Sequence, residues 1–129
     1  ACGHRLGPAA LALWRTLGGA DGRLGCPTAD EEDAAPSSQG TRSRQVLFGE
    51  TGAIFTHVSG PLSGQAFAIA DCYRLYFQYG GPTGWLGLPT GGAEETPDGE
   101  TQTYEGGVMR RPRATEACDP ERAEAPMPG

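Results

Sequence analysis

Apolar residues recur at helical spacing in two stretches of the chain. Ala10, Leu11, Trp14 and Leu17 do so within 8–17, and Ile69, Cys72, Tyr73 and Tyr76 within 64–79, so each stretch is predicted to form a short amphipathic helix. Gly18-Gly19 and Gly80-Gly81 follow directly. They supply the left-handed residue that closes a helix without a Cβ clash. The spacing then shifts to that of extended chain: 44–48 with 52–57, and 100–104 with 107–111, predict two β-hairpins. Pro97-Asp98-Gly99 reads as a tight turn, and 35–40 as a longer polar version of the same connection. Residues 58–63, with Gly60-Pro61, are expected to link the two halves. Residues 113–129 are rich in Pro, Ala and Glu and are not expected to order unaided; Cys118 and a neighbouring subunit are the expected supports.

The two halves are copies of one unit. Leu17-Gly18-Gly19-Ala20-Asp21-Gly22-Arg23-Leu24-Gly25-Cys26-Pro27-Thr28 aligns with Tyr79-Gly80-Gly81-Pro82-Thr83-Gly84-Trp85-Leu86-Gly87-Leu88-Pro89-Thr90. Each copy continues through an acidic stretch, 30–33 or 94–95, to an aromatic, Phe48 or Tyr104, and a glycine-led strand. The unit resembles the LGFP repeat, with its Gly-Gly turn, Leu-Gly-aromatic-Pro-Thr core, acidic spacer and closing aromatic strand. The resemblance covers about residues 7–112. Trp14 and Tyr76 hold its leading aromatic position, while Cys26 and Leu88 replace the aromatic before Pro-Thr, and Arg110-Arg111 stand where aromatics should close the second copy.

The resemblance implies an α+β fold of two tandem LGFP-like repeats, each a short helix, a Gly-rich turn and a β-hairpin, sharing one core. Residues 1–63 would hold the first repeat with its N-terminal segment and linker, 64–112 the second, and 113–129 a tail tied by Cys118. It also implies attachment to cell-envelope polysaccharide. The family occurs chiefly in actinobacterial envelope proteins, where it is joined to mycolyltransferases, amidases and other secreted enzymes and is thought to hold them on the wall.

A 129-residue chain is the size of one domain. Apolar residues make up 37% of it, with 21 Gly and 11 Pro, so the core is modest and needs crosslinks. Cys2, Cys26, Cys72 and Cys118 are never spaced as CxxC, which excludes a zinc knuckle or thioredoxin-type pair and favours two disulfides in an oxidising compartment. Four cysteines allow three pairings. Because Cys26 holds the family's buried aromatic position and Cys72 faces inward on a helix, Cys26 with Cys72 and Cys2 with Cys118 is the favoured set. Cys2 with Cys72 and Cys26 with Cys118 comes second. No basic-then-apolar leader precedes Cys2, so the numbering is expected to be that of a mature, secreted chain, extracellular or wall-associated. An Ala-Cys start also resembles the end of a lipobox, and lipidation of Cys2 stays open.

The net charge is -6 and every cation is Arg, which argues against nucleic acid. No stretch approaches the roughly 20 apolar residues of a membrane span. Only His4 and His57 could serve as a base, no serine lies in a Gly-x-Ser-x-Gly elbow, and no enzyme, cofactor or metal is expected. The acidic stretches 30–33 and 94–95 read as solvated loops before they read as paired catalytic carboxylates or a Ca²⁺ site. For binding, Trp85 is the candidate sugar platform, set against the plain reading that it packs on the other repeat. Arg110, Arg111 and Arg113 are a candidate site for acidic polymer or for an acidic surface of another copy, set against a solvated strand end. Two functions follow: a non-enzymatic module that binds envelope glycan, or a self-assembling extracellular subunit, a fibre or surface-layer homo-polymer. A secreted hydrolase ranks below both.

Overall fold

The computed structural model describes residues 2–122. The chain runs α1 (Pro8–Thr16), β1 (Glu32–Asp33), β2 (Ser43–Leu47), β3 (Ala53–His57), β4 (Ala66–Ile69), α2 (Tyr73–Gln78), β5 (Glu94–Thr96), β6 (Gly99–Tyr104), β7 (Gly107–Pro112) and β8 (Asp119–Arg122). A 3₁₀ turn follows each α-helix, at Gly19–Asp21 and Gly81–Thr83. The strands form two four-stranded antiparallel meanders, β1 to β4 and β5 to β8. The expected hairpins are therefore the central pairs of larger sheets.

The duplication extends to individual hydrogen bonds. Trp14 Nε1 donates to the Gly25 carbonyl at 2.8 Å, and Tyr76 Oη donates to the Gly87 carbonyl at 2.6 Å. Thr28 N donates to Leu47 O at 2.9 Å, and Thr90 N to Thr103 O at 3.0 Å. Gly18 and Gly80 close the helices with φ of 102° and 101°. A Cβ at Gly22 would overlap the Leu17 carbonyl, and one at Gly84 the Tyr79 carbonyl, so the recurrent glycines are required by a close backbone approach. The same overlap with Ile69 O and Glu121 O sets Gly52 equivalent to Gly107 and puts the two sheets in register.

Three expectations about the elements are corrected. The helix predicted over 64–79 is confined to Tyr73–Gln78: Ala66–Ile69 is strand β4, paired with β3, and Cys72 enters the helix at a φ of 65°. Residues 58–63 consequently connect β3 to β4 within the first sheet and do not link the halves. The start of the tail is ordered by its own chain, since β8 adds to β7 from Gly107↔Arg122 to Arg110↔Asp119; residues 123–129 lie outside the described part.

The disulfides are also corrected. Cys2 joins Cys26 and Cys72 joins Cys118, one bridge within each half. Neither pairing inferred from the sequence is present. The reason lies in position: Cys26 is exposed, whereas Leu88, its equivalent, is fully buried between the halves. Among the described residues no second unit covers this end of the first, so the residue before Pro-Thr is exposed there and reaches the N-terminal segment through Cys2.

Two apolar clusters flank the first sheet, in place of one shared core. On one face α1 lays Ala10 and Trp14 over Leu24, Val46, Phe48 and Ile54. On the other, Ala53, Phe55 and Ile69 meet Tyr76, Leu86, Leu88, Tyr104 and Met109 of the second unit. Phe55 and Tyr76 are both fully buried and lie edge to face at 6.0 Å. Polar contacts cross the same seam: His57 Nε2 donates to the Pro89 carbonyl at 2.7 Å, and Gln102 Nε2 donates to Ala68 O at 2.9 Å.

Among the described residues the second sheet has no such outer partner. Its open face carries Thr103, Val108, Arg110 and Glu121 where the first sheet places Leu47, Ala53, Phe55 and Ile69 against its neighbour. Arg110 Nε pairs with Glu121 at 3.2 Å across that face. A polar outer face is how a stacked repeat array ends.

Candidate functional site

After α2 the Gly-rich turn brings Tyr79 and Trp85 together, ring centroids 6.0 Å apart and planes at 67°. Tyr79 is 42% exposed, and Trp85 is half-buried, packing partly on the inter-repeat cluster. The Arg122 guanidinium lies 4.8 Å from the Trp85 ring centroid, a cation–π contact. The result is an aromatic edge flanked by a planar polar group. Leu17 and Arg23 occupy the equivalent positions in the first unit, so only the second unit carries this pair.

The three arginines singled out from the sequence do not form one patch. Side chains alternate along β7, and Arg110 points to the open face while Arg111 points to the opposite one. Arg111 is part of a charged cluster at the seam, its Nη2 3.0 Å from Asp71 and 3.8 Å from Glu100. Arg23 of the first unit donates to Asp71 as well. Arg113 is exposed; with Arg111 and three glutamates, Glu95, Glu100 and Glu116, it lines a cavity of about 120 Å³.

The two carboxyls of the seam are driven apart in pKa. Burial, the Asp71 charge and a hydrogen bond to Asp71 raise Glu100, against Arg111 and Arg23. Burial opposes ionisation of Asp71 too, yet the Arg23 hydrogen bond and the charges of Arg23 and Arg111 hold it below the usual aspartate range. Glu105 is a further junction. Burial works against its charge, but the Leu88 N–H and the Thr41 and Ser37 hydroxyls outweigh it and lower its pKa. Burial raises the Tyr76 and Tyr104 phenols above the usual range, so both remain protonated and hydrogen-bonded.

Two acids of the first acidic stretch are committed locally. Asp30 takes the Arg5 N–H and His4; Glu31 takes the Gly7 N–H and pairs with Arg44 at 2.8 Å; Glu94 and Glu95 are exposed. His57 is buried in the seam against Phe67 as well as Pro89. Among the described residues no group of His, Cys, Asp and Glu has the geometry of a metal site, and no helix is long and apolar enough to cross a membrane.

Tyr79, Arg122, Asp71 and Glu100 were not legible from the sequence as site residues. Tyr79 stands at a leucine position of the repeat, and Arg122 lies in a segment without apolar periodicity. Asp71 and Glu100 lie 29 positions apart and meet only through the packing of the two units. No family model matches the chain, and no curated protein matches it.

Proposed function

We propose that this chain is a secreted, non-enzymatic module of two LGFP-like repeats that binds cell-envelope polysaccharide through the Tyr79–Trp85 edge. The observation that carries the reading is the aromatic pair itself. Tyr79 is exposed beside the half-buried Trp85, whose ring carries the Arg122 guanidinium, at a place where the first unit has Leu17 and Arg23. Aromatic faces next to planar hydrogen-bonding groups suit the apolar faces and hydroxyls of a sugar ring. The two disulfides fit an oxidising compartment outside the cell. The hydrogen bonds of Asp30, the ion pair of Glu31 and the backbone bond of His57 give those groups structural roles, which favours binding over hydrolysis. Polymerisation by further stacking is opposed by the polar face of Arg110, Glu121 and Thr103.

Retention on purified wall polysaccharide tests the reading. Tyr79→Ala is expected to weaken retention roughly tenfold, about 1.4 kcal/mol, with little change in melting temperature because that ring is largely exposed. Trp85→Ala should weaken it at least as much and also lower stability, since its inner part packs on the core. Unchanged retention by both variants overturns the proposal.

A further inference from the structure

The alignment of the units places Leu17, Arg23 and Ala70 where Tyr79, Trp85 and Arg122 stand in the second. In the second unit the space between helix and fourth strand is occupied, with the guanidinium of Arg122 lying over the Trp85 ring. In the first unit β4 and the residue after it bring Ala66, Phe67, Ala68 and Ala70 to this place, with no side chain equivalent to Arg122 among them. A groove of about 370 Å³ remains, walled by these alanines with Leu13, Leu17 and Leu24, and closed at one end by Arg23, Asp71 and Glu100. That volume is at the small end of ligand pockets, roughly 300 to 1,000 Å³.

We propose that this groove binds a short alkyl chain carrying an uncharged, hydroxylated head. The walls are apolar over most of their length, and the chain fills the same space with its own side chains in the duplicate unit. The charged end is balanced, Arg23 and Arg111 against Asp71 and Glu100. An added carboxylate would face two acids and an added ammonium would face two guanidinia. A hydroxyl can donate to Asp71 and accept from Arg23, whose guanidinium side chain is 53% exposed. A neutral polar head leaves the balance intact.

The test uses the full chain and octyl glucoside below its micelle concentration, with methyl glucoside and octanoate as controls, followed by titration calorimetry and amide chemical shifts. Saturable binding of octyl glucoside is expected, with shifts at 66–70 and around Leu17, and at least roughly tenfold weaker binding of both controls. Arg23→Trp with Ala70→Arg copies the filled groove of the second unit, and Ala68→Leu fills it while keeping the ion pair. Both should lose octyl glucoside binding, and Tyr79→Ala should retain it. No saturable binding, shifts confined to Tyr79 and Trp85, or methyl glucoside binding as well as octyl glucoside overturns the site. Octanoate binding as well as octyl glucoside overturns the assignment of an uncharged head. If the filled variants do not fold, the wild-type shift map alone decides.

Discussion

Removing the Cys72–Cys118 bridge by Cys72→Ala with Cys118→Ala should loosen the second sheet without disturbing the first. The bridge closes a loop of sequence separation 46, and the chain-entropy relation gives about 4 kcal/mol for that length at 25 °C. The Cys2–Cys26 bridge, with separation 24, gives about 3.5 kcal/mol. For a chain of this size a loss of about 4 kcal/mol lowers the melting temperature by roughly 15 °C. The effect should also be local, because strand β8 has a charged, Pro-containing sequence and an open edge, and depends on β7 and Cys118 for its place. Hydrogen exchange of the paired segments 107–110 and 119–122 should therefore accelerate well before that of β3. The separate variant Cys2→Ala with Cys26→Ala should leave those amides protected. An unchanged melt, or equal acceleration in both sheets, would refute the argument. Non-reducing peptide mapping provides an independent check, since it must recover Cys2 joined to Cys26.

Phe55→Ala should destabilise by about 3 to 5 kcal/mol, because a fully buried ring is lost from the seam between the units; denaturant titration measures it. Glu105 and Glu100 should respond to pH with opposite signs. The folded pKa of Glu105 lies below the ordinary 4.5, so its stabilisation is present above that value and is lost as pH falls through the folded pKa. Glu105→Gln should destabilise at neutral pH and converge with the parent in acid. Glu100 is raised, so its folded state favours the protonated form and its contribution is lost as pH rises through the folded pKa. Glu100→Gln should equal or exceed the parent at neutral pH, with the difference vanishing in acid; melts across pH decide both. Arg110→Phe with Glu121→Ile restores the inner-face residues of the first sheet to the open sheet and should cause concentration-dependent association, visible by sedimentation.

The parts legible in the sequence were those governed by local chemistry. Gly18, Gly22, Gly80 and Gly84 mark turns that backbone sterics require, and Trp14 and Tyr76 sit at helical spacing with the leucines they cover. The hairpins followed from alternation and turn residues. What was not legible depended on position in the stack. Ala66–Ile69 carries too little apolar contrast to tell strand from helix, and the spacing of Ile69, Cys72, Tyr73 and Tyr76 imitates one long helix. β8 lacks an apolar face because its face is open. The pairing of Cys26 turned on whether its position was inside, and the same motif position is outside in one copy and inside in the other. The aromatic edge was half visible, through Trp85, while Tyr79 and Arg122 needed the fold to meet it.

The polar exterior of the second sheet sets how this architecture can grow. A third unit appended after β8 would meet Arg110, Glu121 and Thr103 and gain no apolar burial. One spliced in between β4 and α2 would inherit a neighbour's hydrophobic surface on each side. Lengthening is therefore favoured from the middle, with the face of Arg110 and Glu121 kept outermost.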